Sequence, residues 1–436
     1  MATNQYLAII LSATWYLILF PGRVHVDSEY QLGLLRAGET TSQWTGIWFR
    51  YLQILTIDGR TIILATFLCA VLTFFTLRKI VFIICHEKAV GYLTLNLLYL
   101  TPIIGYSSVT LNHDIVSSCG TLLTFISLFV EEKQSRRRNI LIVFSVSLAL
   151  TSFIGLIGVV VIFAIFLMKH RTRQFPTSVT ILLSLIVVCS LNIIAIQRPP
   201  LSVVLLPIIA DVKCIAQSDS SVISERDWAV LRKIQSEKSW REIESCSSAN
   251  IALNQEFRIE AIGREFVGAY IRIAQQNGLK IAQAHILRSS SAIPAPFLIP
   301  QSTVYALDEG TSQPGTQQQN GLLLTSRSIH GHTGIPVIKQ LEPVAMFAAT
   351  IVNFFSHIIG WGGLMILVLI LSPAARKIER KKLLVVLLSM HSFLFLWSPV
   401  NDNRYLLTTN LVAWVLIAQF ISKLVLRKDS SIQNIE

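Results

Sequence analysis

Apolar residues along this chain gather into long runs separated by short polar bursts. That pattern fits membrane-spanning helices and not the alternation of half-buried strands. The runs lie near 5–20, 60–77, 89–106, 114–130, 139–168, 177–196, 353–371, 383–398 and 405–425. The stretch 139–168 is too long for one straight span, and "TSFIG" at 151–155 falls near its middle, so two short helices joined by a tight turn are predicted there. The total comes to about ten spans. The first run has no Lys or Arg before it and ends in Phe-Pro-Gly instead of a small-x-small cleavage site, so it reads as a retained helix.

Between 213 and 340 the pattern changes. "SERDWAVLRKI" opens with a capping-box pattern, Ser224 to Asp227, and repeats its apolar residues at Trp228, Leu231 and Ile234. A second helix is predicted at about 256–275, with Ile262, Phe266, Tyr270 and Ile273 on one face and "QQNG" ending it. Neither is apolar enough to span, so they cover a small core or lie on the membrane surface. "TSQPGTQQQNG" at 311–321 has the composition of a loop. The predicted fold is all-α and polytopic, in three parts. An N-terminal bundle of about seven spans fills 1–212, with a first outer loop at 21–59; a small, mainly helical soluble insert fills 213–340; about three spans fill 341–436.

Lys and Arg set the orientation. Arg78, Lys79 and Lys88 flank one connection, and Lys133, Arg136, Arg137 and Arg138 fill the next. Lys169, Arg171 and Arg173 follow the paired helices; Arg376, Lys377, Arg380, Lys381 and Lys382 form another burst; Lys423, Arg427 and Lys428 close the chain. With ten spans all of these fall on one side, the cytoplasm, together with both termini. The opposite face receives His25, Asp27 and Glu29, "NHD" at 112–114, "QRPP" at 197–200, the insert, and "SPVNDNRY" at 398–405.

Composition agrees: 52% of the 436 residues are hydrophobic and 14% charged, with a mean hydropathy of +0.58, where soluble proteins average about 25% charged. The net charge of +12 does not indicate nucleic acid, because the basic residues sit between apolar runs and not on a soluble domain with interleaved aromatics. Of six cysteines, Cys69, Cys85, Cys119 and Cys189 lie in or beside apolar segments. Cys214 and Cys246 share the outward insert, where thiols oxidise, and a disulfide between them is predicted. No Asn-x-Ser/Thr sequon occurs, which favours a bacterial inner membrane over a secretory pathway.

The outward polar residues carry the candidate chemistry. On extended backbone, His25, Asp27 and Glu29 fall on the same side, at a membrane boundary where partial desolvation makes a carboxylate a better base; the alternative is a hydrated loop of interfacial charges. Asn112, His113 and Asp114 read either as a helix cap or as a functional His-Asp pair. Arg404, followed by Tyr405, is either an interfacial side chain reaching for water or a clamp for a phosphate; Arg198 is a weaker candidate for the same role. His25, Asp27 and Glu29 would suit a hard divalent cation, though nothing in the pattern requires one. "HGH" at 330–332 is too short to argue for a metal.

A first outward loop that begins "PG" and carries "DSEYQ", an acidic "HDIVSS" opening a later helix, "NRYLL" opening a late span and an outward insert before the last helices together resemble the GT-C superfamily of integral-membrane glycosyltransferases. Protein O-mannosyltransferases and aminoarabinose transferases belong to that group. The resemblance covers the layout from about 5 to 425 and implies a polyprenyl-phosphate-linked sugar donor, an unidentified glycan, lipid or protein acceptor, and transfer on the outer face. It implies Asp27 as the catalytic base, Asp114 as the second acidic position and Arg404 as the basic residue near the donor phosphate. The O-mannosyltransferases carry adjacent Asp-Glu, whereas Ser28 intervenes here, which leaves the choice between Asp27 and Glu29 open. A transporter or flippase of lipid-linked saccharides would instead place charges at mid-membrane in two matching halves. A non-catalytic scaffold would show no activity that depends on Asp27.

Overall fold

The computed structural model describes residues 5–24, 26–38, 46–85, 87–130, 136–169, 201–218, 220–241, 258, 261–288, 368, 378–397 and 407–433. Helix dominates them, and strand is confined to two residues at each of two places. The expected spans at 177–196 and 353–371, the loop at 311–321, and His25, Arg198, Cys246, Arg404 and Tyr405 lie outside the described residues, residue 368 excepted.

The chain opens with α1 (Gln5–Ile18). The Pro21-Gly22 turn follows, with Gly22 at φ +107° against Thr66, where a Cβ would overlap that side chain. Strand β1 (Arg23–Val24) leads into α2 (Val26–Ala37) and α3 (Gly46–Leu55). The first outer loop is therefore largely helical. Positions 27 and 29 lie on the first turns of α2, about 200° apart around its axis, so the alternate-residue geometry expected of extended backbone does not apply to them. The cause is the following sequence, "QLGLLRA", whose apolar residues at 32 and 35 repeat at helical spacing and bury.

Helix α4 (Ile63–Ile84) is the first long span-like element. The run expected at 89–106 divides into α5 (Lys88–Leu100) and α6 (Pro102–Ser108). A residue before proline is pushed out of helical conformation, and Thr101 is extended at φ −80°, ψ 120°. Strand β2 (Thr110–Leu111) precedes α7 (His113–Phe129). The run 139–168 contains α8 (Arg136–Ala149) and α9 (Phe153–Lys169), with the turn at 150–152 where "TSFIG" predicts it.

Helix α7 is the axis of the molecule: every one of its residues is buried. Small residues let its neighbours approach. A Cβ on Gly120 would strike the backbone of Leu148 and Ala149, one on Gly155 the Ala149 carbonyl and the Ser117 hydroxyl, and one on Gly158 the Thr121 side chain. Apart from Ser118, the hydroxyls along α7 bond internally or to α8: Thr121 donates to the Ser117 carbonyl at 2.9 Å and Thr124 to Ser145 at 3.0 Å. At its C-terminal end the buried Arg138 donates to the carbonyls of Ser127 (2.8 Å) and Leu128 (3.3 Å), and Lys382 stands 4.9 Å from the Phe129 ring. Cations there complement the helix dipole. Among the described residues, helices α15 (Ile378–Trp397) and α16 (Leu407–Gln433) join the bundle, α15 against α9 and α16 against α5 and α7. Among the described residues, two helices are long and apolar enough to cross a membrane, Ile63–Ile84 and Leu407–Leu426.

A separate core joins α10 (Leu201–Ser218), α11 (Glu225–Ile234), α12 (Glu237–Arg241), α13 (Arg264–Gln276) and α14 (Gly278–Arg288) around Ile209, Trp228, Trp240, Phe266 and Ile273. The boundary expected at 213 falls inside α10, whose Ile209, Val212 and Ile215 belong to this core. The predicted cap is present: the Asp227 N–H donates to Ser224 Oγ at 3.2 Å. Cys214 is disulfide-bonded, whereas Cys69, Cys85 and Cys119 keep their thiols.

Candidate functional site

Strand β1 runs parallel to β2, pairing Arg23 with Thr110 and Val24 with Leu111. This two-residue bridge fastens the start of the first outer loop to the turn before α7. The acidic segment at 27–29 follows β1 within a few residues, and Asn112, His113 and Asp114 follow β2 directly. A small apolar core of Val24, Leu32, Leu35, Trp48, Leu111 and Val116 holds α2 and α3 against the same place.

Asp114 is 3% exposed. Its backbone N–H donates to Asn112 Oδ1 at 2.8 Å, so the capping role expected of Asn112 is present. The carboxylate has further contacts: Ser152 Oγ donates to Oδ1 at 3.1 Å, and His113 Nε2 lies 3.4 Å from the same oxygen. The turn between α8 and α9 also grips the helix start, because Thr151 Oγ1 donates to the His113 carbonyl at 3.2 Å and Ser117 Oγ to the Ala149 carbonyl at 2.7 Å. Trp48 stacks on Tyr51 with ring centres 5.2 Å apart, and its ring centre is 5.9 Å from that of His113. Its indole N–H donates to Gln31 Oε1 at 2.5 Å. One turn beyond Asp114, Ser118 Oγ accepts from Thr408 at the start of α16, 2.9 Å away.

The structure thus draws together α2, α3, the α8–α9 turn, the start of α16 and the His113–Asp114 pair. Ser152, Trp48 and Gln31 were not anticipated. "TSFIG" marks only a turn, and the partners of these residues lie far along the chain; the apolar period of "GIWFRYLQIL" does signal α3. Among the described residues, no three His, Cys, Asp or Glu side chains gather as a metal site. Compared with family models, with curated proteins and with solved structures, the chain matches none of them.

Proposed function

We propose that the chain is a multi-pass inner-membrane glycosyltransferase that moves a sugar from a polyprenyl-phosphate donor to an acceptor on the outer face. The observation that carries this reading is the β1–β2 bridge, which joins the acidic first loop to the buried Asp114. In this reading about ten helices cross the bilayer, both termini are cytoplasmic, and Cys214 pairs with Cys246 outside.

The reaction needs few parts. Asp27 takes the proton of the acceptor hydroxyl as its oxygen attacks the anomeric carbon. The bond from that carbon to the phosphate oxygen breaks, the phosphate leaves with the electron pair, and the anomeric centre inverts. A phosphate is already a good leaving group, so a second carboxylic acid, as in glycosidases, is not required. Arg404 offers the phosphate a planar fork of donors. It precedes Thr408 by four residues, a length of chain that reaches at most about 14 Å. Thr408 is itself bonded to Ser118 on α7.

The test is sugar release from a polyprenyl-phosphate donor by the purified protein in nanodiscs. Asp27→Asn should lower turnover roughly 100- to 10,000-fold with folding and donor binding intact, while Arg404→Ala should weaken donor binding and turnover together. If Asp27→Asn and Glu29→Gln both keep near-wild-type turnover, the first loop is only an interface and the mechanism fails.

A further inference from the structure

Between α3 and α4 the backbone makes a turn that few sequences adopt. Ile57, Asp58 and Gly59 all have positive φ, at 51°, 53° and 80°. Glycine enters that region freely and Asp tolerates it, but for a β-branched residue it is a costly outlier. The turn is held from several sides. The Asp58 N–H donates to the Gln53 carbonyl and the Thr61 N–H to the Thr56 carbonyl, both at 2.9 Å. The Gly59 N–H donates to Thr56 Oγ1 at 2.9 Å. From α2, Arg36 Nε donates to the Gly59 carbonyl at 2.8 Å, and a Cβ on Gly59 would meet the Leu32 carbonyl. A strained conformation fixed this firmly points to a use. The protein interior gains little from it, since Ile57 is 59% exposed.

Ile54, near the end of α3, is 72% exposed. Arg50 stands one turn before it on the same face, opposite Trp48 and Leu52, which α3 buries. Arg36, Arg50 and Arg60 are exposed and outnumber Asp58, the one acidic residue of 46–61. The turn runs directly into α4, which is long and apolar enough to cross a membrane. Ile63, Leu64, Phe67 and Phe75 are exposed along one side of α4. Two exposed isoleucines beside three arginines, where such a helix begins, match the two layers of a lipid surface, acyl chain and phosphate. We infer that the α3–α4 turn is a docking surface for phospholipid of the outer leaflet. Ile54 and Ile57 enter the acyl chains, and Arg36, Arg50 and Arg60 meet the phosphates. The inference rests on the membrane-spanning topology proposed above and needs nothing of the transferase chemistry.

Single cysteines carrying an environment-sensitive fluorophore test this on the full chain in liposomes that contain anionic lipid. Ile54→Cys and Ile57→Cys report the turn, Phe75→Cys reports the middle of α4, and the parent chain gives the background from native thiols. A nitroxide on the lipid acyl chain near the headgroup should quench the labels at 54 and 57, and acrylamide in the water should not. A nitroxide deep in the acyl chain should quench the label at 75. With the label at 54, Ile57→Asn keeps a residue that tolerates positive φ and removes the apolar side chain. Acrylamide quenching should then rise at least about twofold, as it should in the double variant Arg50→Gln, Arg60→Gln. Acrylamide quenching of unaltered turns at 54 and 57, with 75 in lipid, would place the turn in water and overturn the inference while the span stands. Shielding of 54 and 57 from both quenchers would mean that a second copy or another protein covers the turn, which overturns it too. So would variants that leave the quenching at 54 unchanged. A label at 75 that no lipid nitroxide reaches would reject the membrane span itself.

Discussion

At the scale of the residue, the region around Asp114 depends on close approach as much as on charge. Gly155 sits where any Cβ would overlap the Ala149 carbonyl and the Ser117 hydroxyl, and it lies three residues past Ser152, which bonds Asp114. Gly155→Ala should cost about 1–3 kcal/mol by overpacking and reduce turnover by shifting Ser152. Gly33→Ala on α2, with nothing within 4 Å of its Cβ, should be neutral or gain about 0.5–1 kcal/mol. Melting temperature and turnover of the two variants check both statements. The cap at Asn112 was readable because capping is local. Ser152 was not, because it meets Asp114 across 38 residues, a distance that only the folded hairpin of α7 and α8 closes. Asp27 and Glu29 misled for a related reason: alternating polar residues are a weaker signal than the apolar spacing of Leu32 and Leu35 just after them, which winds the segment from Val26 into helix.

At the scale of the element, the helical unit around α10 to α14 separates strong from weak ion pairs. Asp227 is 1% exposed and accepts both Arg272 Nε (2.9 Å) and Nη2 (2.6 Å), besides bonding Ser224. Arg272 keeps about a third of its side-chain surface in water, so Asp227→Ala should destabilise the unit by on the order of 2–3 kcal/mol, less than a fully buried pair. Glu265 is exposed and Glu237 half-buried; the hydrogen bonds from Lys233 and Arg232, respectively, hold their carboxyls below the usual value of 4.5. A lowered carboxyl stabilises above its unfolded pKa, and that contribution fades as pH falls through the folded one. Acid below about pH 4.5 should therefore weaken this unit slightly, and salt should shrink the effect. Fluorescence melts following Trp228 and Trp240 read both outcomes. The capping box at Ser224 located α11, and "QQNG" located the end of α13. The same motif concealed α14, since the chain resumes helix at Gly278 with Ala284 turned into the core.

At the scale of the whole molecule, the helical character of the chain and the division of 139–168 were legible from length and composition. The central place of α7 was not, because several of its neighbours are as apolar as it is. On the proposed topology, positions 137, 171 and 381 are cytoplasmic, and 27, 220 and 404 face outward. Single cysteines introduced at 137 and 220 decide it: labelling from outside intact cells should reach 220 and spare 137, and the reverse pattern sinks the orientation. The length of α7 then has a consequence of its own. Its 17 residues span about 25 Å, against a hydrocarbon layer of about 30 Å. All of its residues are buried, so on that topology it would meet no lipid and incur no mismatch, and nothing would force it to reach both surfaces. On the proposed topology, with its C-terminal end held by Arg138 and Lys382, α7 would leave Asp114 recessed beneath the outer surface. For the proposed transferase, a recess of that kind would favour sugars delivered sideways on a lipid tether over those dissolved in water, and would shelter the activated donor from wasteful hydrolysis.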